Sequence, residues 1–353
     1  MSLFKKNNVV IDKSLKRRSL FKRIVKYLLI GIGSIIFLLL AFASWIYFSI
    51  IAGPDLMEMS DYHPFKSSEA KTEYLAFENK MAKKWPVISE EKFVQTSFGK
   101  TFMRISGPID APPLILLPGG GSNSLIWNAN IKALSEGYRT YALDNIYDFG
   151  RSIYTRKIET PDDYSLWLNE LFDSLSLGKD IRIIGYSFGG WVTGLYAKNY
   201  PDRLSRVILL APAFSIQPVS NDFILNMVLG ILPCKYTMRK SMYWIWDDLV
   251  KSGKEGKEIA DERVDYVYLA MKSFKFKMGV EPIKLEDTDL KKLTMPVLFL
   301  IGEHEKVCNP QLAINRLNKV APEIKTVLIL GTGHDLMFTH TEKVNSIMLD
   351  FLK

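Results

Sequence analysis

The chain has 353 residues but only two cysteines and four histidines. Two thiols, Cys234 and Cys308, cannot form the disulfide framework of a small stapled domain, and their spacing matches no zinc-ligand pattern. Whether they pair or stay free is left open. Surplus charge is also missing from most of the chain. The net charge is +8, yet residues 1–52 hold nine Lys/Arg and one Asp, leaving 37 basic and 37 acidic residues beyond them. A neutral remainder excludes the concentrated cationic surface that phosphate backbones require, so nucleic acid is not an expected partner. No internal repeat or low-complexity tract is visible. With 48% hydrophobic and 24% charged residues, the chain has the composition of a folded domain with a sizeable core.

The basic residues cluster before a long apolar run. From Tyr27 to Ala52 there are 26 residues without a charge, which as a helix span ~39 Å at ~1.5 Å per residue, more than a ~30 Å hydrocarbon core. Lys16, Arg17, Arg18, Lys22, Arg23 and Lys26 precede the run, and the positive-inside rule places that end in the cytoplasm. Trp45 and Tyr47 suit the outer interface. The expected organisation is a basic cytoplasmic arm at 1–26, a membrane anchor at 27–52 in contact with the bilayer, and a polar, partly helical stalk or lead-in at 53–91. Everything that follows then lies outside the cytoplasmic membrane. A cleaved signal peptide is the rival, with Ala41-Phe42-Ala43 as its small-residue site, but the run exceeds the usual ~7–15 residue apolar region.

From Phe93 onward short apolar runs alternate with amphipathic segments. FVQTSF and TFMRIS flank Gly99-Lys100 as an expected hairpin, and LILL (114–117), RTYAL (139–143), IRII (181–184), RVILLA (206–211), VLFLI (297–301) and TVLIL (326–330) read as buried strands. Such alternation predicts an α/β fold, a mainly parallel sheet flanked by helices, with functional groups on loops beyond the carboxyl ends of the strands.

Those loops carry the chemistry. After IRII comes Gly185-Tyr186-Ser187-Phe188-Gly189, a G-x-S-x-G run between a strand and a helix, where a tight turn projects the serine hydroxyl outward. A serine needs a base to take its proton and an acid to orient the base. Of the four histidines, His334 follows the last strand on a short glycine loop, whereas His63, His304 and His340 lie elsewhere. The acid is expected after the preceding strand, where Glu305 is preferred to Glu303; Asp335 adjoins the base, and Asp144 is assigned to its own loop. Pro118-Gly119-Gly120-Gly121 follows LILL and permits close backbone approach. The amides of Gly120 and Phe188 are the expected oxyanion donors. The glycine run lacks the Lys-Ser/Thr ending of a phosphate loop and the G-x-G-x-x-G of a dinucleotide site, so no cofactor is expected, and no metal.

The order Ser187, Glu305, His334, with the glycine loop upstream, resembles the α/β-hydrolase family over roughly 93–353. Residues 144–152 also resemble the D-x-x-G-x-G-x-S loop of that family. Pro118-Gly119 stands where His-Gly is common, and Glu305 where Asp is more frequent. The resemblance implies core segments at 92–212 and 291–353 with an inserted helical cap at 213–290. Helical spacing leaves open whether the apolar residues of that insert pack the cap, line an acyl pocket or touch the membrane. The implied activity is hydrolysis of an apolar carboxylic ester, although peptidases, acyltransferases and carbon-carbon hydrolases use the same constellation, and a silent binding protein can retain the fold.

Overall fold

The computed structural model describes residues 20–34, 36–37, 40–41, 60–232, 234–275 and 280–353. It comprises two units, Met1–Leu56 and Met57–Lys353. In the first unit the described residues are helical, and Leu28, Leu29, Ile30, Ile32, Ile36, Phe37 and Leu40 are exposed. The expected anchor at 27–52 falls only partly on these, its remaining residues lying outside the described ones. Among the described residues no helix is long and apolar enough to cross a membrane.

The second unit is built on one sheet. Its strands are β1 (Ser89–Thr96), β2 (Gly99–Ser106), β3 (Pro113–Leu117), β4 (Arg139–Leu143), β5 (Ile153–Tyr154), β6 (Ile181–Tyr186), β7 (Leu204–Leu210), β8 (Val297–Gly302) and β9 (Lys325–Ile329). The order is β1-β2-β4-β3-β6-β7-β8-β9, with β5 beside β2. Pairings of β2 with β1, β4 and β5 are antiparallel, and the others are parallel. Parallel strands covered on both faces need apolar residues at every position, which is why LILL and VLFLI are unbroken runs. Alternate residues face opposite sides. Ile115, Leu117, Ile183, Val207 and Leu209 enter one core with Trp167 and Trp191; Leu114, Leu116, Ile184, Ile208 and Leu298 enter the other with Trp127 and Met348.

The helices are α1 (Ser68–Ala82), α2 (Ile131–Gly137), α3 (Pro161–Ser174), α4 (Phe188–Asn199), α5 (Asn221–Ile231), α6 (Lys235–Ile245), α7 (Asp247–Lys251), α8 (Lys254–Ser273), α9 (Asp287–Leu290), α10 (Pro310–Val320), α11 (Leu336–Thr339) and α12 (Thr341–Leu352). α5 to α8 form the insert between β7 and β8. The final part of the expected cap segment returns to the core, where Leu285 and Leu290 are buried.

The expected hairpin turn is corrected. The hairpin turn is Ser97-Phe98 rather than Gly99-Lys100, because Thr96 pairs with Gly99. Glu170 fixes that turn by accepting from the Ser97 amide at 2.7 Å and its hydroxyl at 2.8 Å. Gly99 is instead a strand residue at φ 128°, where an added Cβ would lie 2.1 Å from the Ile153 carbonyl. The expected stalk or lead-in is described from Ser60 onward. Its part from Ser60 to Glu91 belongs to the folded body: α1 is capped by the Ser67 hydroxyl, β1 begins at Ser89, and Tyr74 is buried with its hydroxyl 2.8 Å from that of Tyr266 in α8. Glu78, also buried, pairs with Arg104 at 2.6 Å and with Arg151. The segment docks through these hydroxyls and charges together with an aromatic cluster of Phe65 and Tyr74 against Tyr266 and Phe274.

Candidate active site

The turn between β6 and α4 holds Ser187 at φ 53°, ψ −117°, a conformation that costs of order 1–3 kcal/mol for a residue with a side chain. Its surroundings enforce it. The Ser187 amide donates to Leu210 O at 3.0 Å, and its carbonyl accepts from Ala213 N at 3.1 Å, tying the turn to the end of β7. Close packing explains the flanking glycines: a Cβ at Gly185 would lie 2.2 Å from the Gly189 carbonyl, and one at Gly189 would lie 2.5 Å from that of Pro118.

His334 and Glu305 reach this hydroxyl from loops beyond β9 and β8. His334 Nε2 lies 2.9 Å from Ser187 Oγ, and its Nδ1 lies 2.9 Å from Glu305 Oε2. The second carboxylate oxygen, Glu305 Oε1, accepts from the amides of Lys306 and Val307 at 2.9 Å each. This local turn aims the carboxylate and leaves its other oxygen for the ring. Both side chains are buried, His334 at 3% and Glu305 at 8% exposure, so their interaction is little screened by water. The two loops are also bound directly, His304 N donating to Thr332 O at 2.9 Å. Tyr186, whose hydroxyl is pushed well up by burial and then by the Glu305 charge, donates to the His334 carbonyl at 2.9 Å.

The other candidates are occupied elsewhere. Glu303 accepts from the Gly331 amide at 2.9 Å. Asp335 accepts from Leu249 N at 2.7 Å, fastening the histidine loop to α7 of the cap. His304 contacts Asp248 at 3.1 Å, His63 contacts the Tyr154 carbonyl at 2.8 Å, and His340 contacts the Thr339 hydroxyl. Both cysteines are free; Cys308 is buried, and desolvation followed by the Glu305 charge pushes its thiol to about 12.

The glycine loop lies beside the serine. A Cβ built on Gly119 would sit 3.3 Å from Ser187 Cβ, and one on Gly120 would sit 3.4 Å from Phe188 Cβ. Phe188 is the first residue of α4, so its N–H has no intrahelical acceptor. The Gly121 amide is already taken, donating to Asp148 Oδ2 at 3.0 Å. Asp148 was not singled out from sequence. Its place in the 144–152 loop was the available signal, and Asp144 organises that loop by accepting from Ser124 N and Arg151 N at 2.8 Å each. Burial, then repulsion from Glu78, raise Asp144 to about 6.

Above these groups is a cavity of about 570 Å³, roofed by the cap. Phe214, Met227, Ile231, Met238, Met242 and Trp244 line it together with Ser187 and His334. Its lining shows that some apolar cap residues face the site, although α5 also leaves Ile224, Leu225, Val228 and Leu229 exposed. Among the described residues no group of three or more His, Cys, Asp or Glu side chains is placed to hold a metal ion. A serine, a histidine and a carboxylate so arranged can support attack on a carbonyl, with the serine proton passing to the imidazole.

A model of the alpha/beta hydrolase fold matches residues 112–262. Carboxylesterase YbfK of Bacillus subtilis is 34% identical over 275 residues, covering 76% of this chain and 89% of that protein. The carboxylesterase nap of the same organism is 32% identical over 274 residues, 76% of this chain and 88% of its own length. The crystal structure of naproxen esterase (carboxylesterase NP) from Bacillus subtilis superposes with a TM-score of 0.75 at 29% identity, covering 82% of this chain and 100% of that one.

Proposed function

The chain belongs to the α/β-hydrolase fold family, and on that premise we propose that it is a carboxylesterase-like serine hydrolase held at the cytoplasmic membrane, with its catalytic unit outside. Ser187 attacks the ester carbonyl. His334 takes the serine proton at Nε2 and returns it to the departing alcohol, and Glu305 holds the ring with Nδ1 protonated and stabilises the imidazolium as it forms. Water, deprotonated by the same imidazole, then releases the acid from the acyl-enzyme. The amides of Gly120 and Phe188 donate to the oxyanion.

The observation that carries this reading is the continuous contact from Ser187 Oγ through His334 to Glu305, at 2.9 Å on each side of the ring. The likeness to carboxylesterases over most of the chain supports ester substrates, and the apolar cavity supports an apolar acyl or alcohol part. Graded p-nitrophenyl esters test it. Hydrolysis rising with chain length to a cavity-limited maximum is expected; no hydrolysis of any member by folded protein rejects an esterase.

The membrane location rests on the uncharged stretch 27–52, the basic residues before it, and the exposed apolar side chains of its described part. Large apolar groups in that density are costly in water and favourable in hydrocarbon. External protease applied to intact cells is expected to digest the catalytic unit. Its full protection while the cells remain intact contradicts the orientation.

A further inference from the structure

The cavity lining is mainly apolar, with a few charged and polar side chains among it. Arg263, on α8 of the cap, lines it and is 9% exposed. Among the described residues one of its five N–H groups is used by the protein, Nη2 donating to the Leu125 carbonyl at 2.9 Å. Among the described residues no carboxylate forms an ion pair with it. The other deeply buried arginine, Arg104, shows the contrast: at 2% exposure it is paired with both Glu78 and Glu91. A buried cation without a paired anion costs several kcal/mol, and burial lowers the Arg263 pKa, offset only in part by Tyr266 and Glu262 nearby. Ser122, three residues before Leu125, lines the same cavity with a buried hydroxyl that has no partner among the described residues. The cavity's own carboxylate, Asp148, already accepts from Gly121 and Phe149, while Lys275 adds a second cation to the lining.

We propose that Arg263 is an anion subsite of the catalytic cavity, so that the favoured substrates are esters carrying a second, ionised oxygen group, such as a carboxylate. A planar guanidinium with free N–H groups matches that geometry, and the anion supplies the charge the fold withholds. This assignment rests on the esterase reading for its substrate class. The shared chemistry admits two sources: the anion can sit on the acyl side, as in half-esters of dicarboxylic acids, or on the alcohol side, as in esters of hydroxy acids.

Binding to the Ser187→Ala protein separates this proposal from catalysis. Calorimetric titration of alkyl half-esters of straight-chain dicarboxylic acids, of alkanoate esters of hydroxy acids, and of neutral esters of matched length reads the subsite directly. At least one anionic series should bind about 10- to 100-fold more tightly than its neutral match, the range for hydrogen bonds to a charged group. The advantage should vanish in Ser187→Ala/Arg263→Met and survive only in part in Ser187→Ala/Arg263→Lys, which keeps the charge but loses the fork. Binding of the neutral ester to each variant reports that its cavity is intact. Equal affinity for charged and neutral esters, or a preference that persists without Arg263, overturns the proposal. Turnover by the wild type is a separate result: if no ester is cleaved, the esterase reading fails while the titrations still judge the subsite.

Discussion

The sheet core and the cap answer different physical demands. At the carboxyl ends of β6, β8 and β9 the reacting groups are held by backbone: Ser187 by Leu210 and Ala213, Glu305 by two consecutive amides, and the histidine loop by the loop before it. In the cap, α5 lends Met227 and Ile231 to the cavity lining, yet these two, like Leu225 and Leu229, remain exposed. The core fixes angles to within a hydrogen bond, and the cap supplies shape and polarity. Chemistry should therefore be sensitive to the core, and selectivity to the cap.

The hardest blow to that division is a core substitution without effect. Ser187→Ala should lower kcat by about 10⁴- to 10⁶-fold with unchanged thermal unfolding, as steady-state kinetics and calorimetry can establish. Glu305→Gln keeps the shape but removes the charge that stabilises the imidazolium. A fall of about 10²- to 10⁴-fold in kcat is expected, with little change in KM. Glu78→Leu removes the buried carboxylate shared by Arg104 and Arg151, leaving them only the half-exposed Glu91, far from the chemistry. Urea unfolding should show a loss of about 3–5 kcal/mol, accompanied by looser association of α1 with the body.

Asp144 gives a pH signature. Its folded value of about 6 exceeds the ordinary 3.8, so the folded state holds the proton more tightly than the unfolded chain. The resulting stability is present below pH ~3.8 and lost as pH rises through about 6, amounting to about 3 kcal/mol at ~1.4 kcal/mol per unit. Unfolding free energies of wild type and Asp144→Asn should thus diverge between pH 4 and 7, with the wild type losing the more. At the small end, Leu225→Ser on the outer face of α5 should change stability by less than about 0.5 kcal/mol. A change above 2 kcal/mol there would mean that the cap is packed as tightly as the core.

The legible and illegible parts of the molecule follow from the range of the interactions involved. The buried strands, the serine turn and the histidine loop are local: apolar runs, small residues around Ser187, and a glycine loop after β9 state their own conformation. Glu303 and Glu305 both follow β8, so the preference for Glu305 had no local signal behind it, and only the structure gives the two different partners. The docking of α1 was hidden because Tyr74–Tyr266 and Glu78–Arg104 join residues far apart in sequence, and neither pair alters local periodicity. The hairpin turn was misplaced because Gly99 is required by its neighbour Ile153, not by a turn. Arg263 gave no signal at all, since an arginine on an amphipathic helix ordinarily faces water and only the packing of the cap over Leu125 puts it inside.

The central claim is that Ser187 becomes acylated with the help of His334 and Glu305. Intact-mass spectrometry after brief exposure to a fluorophosphonate tests it most directly. One adduct per chain on wild-type protein, located at Ser187 by peptide mapping and lost in Ser187→Ala, is the expected result. Folded wild type that stays unmodified, or an adduct that persists in Ser187→Ala, would contradict it.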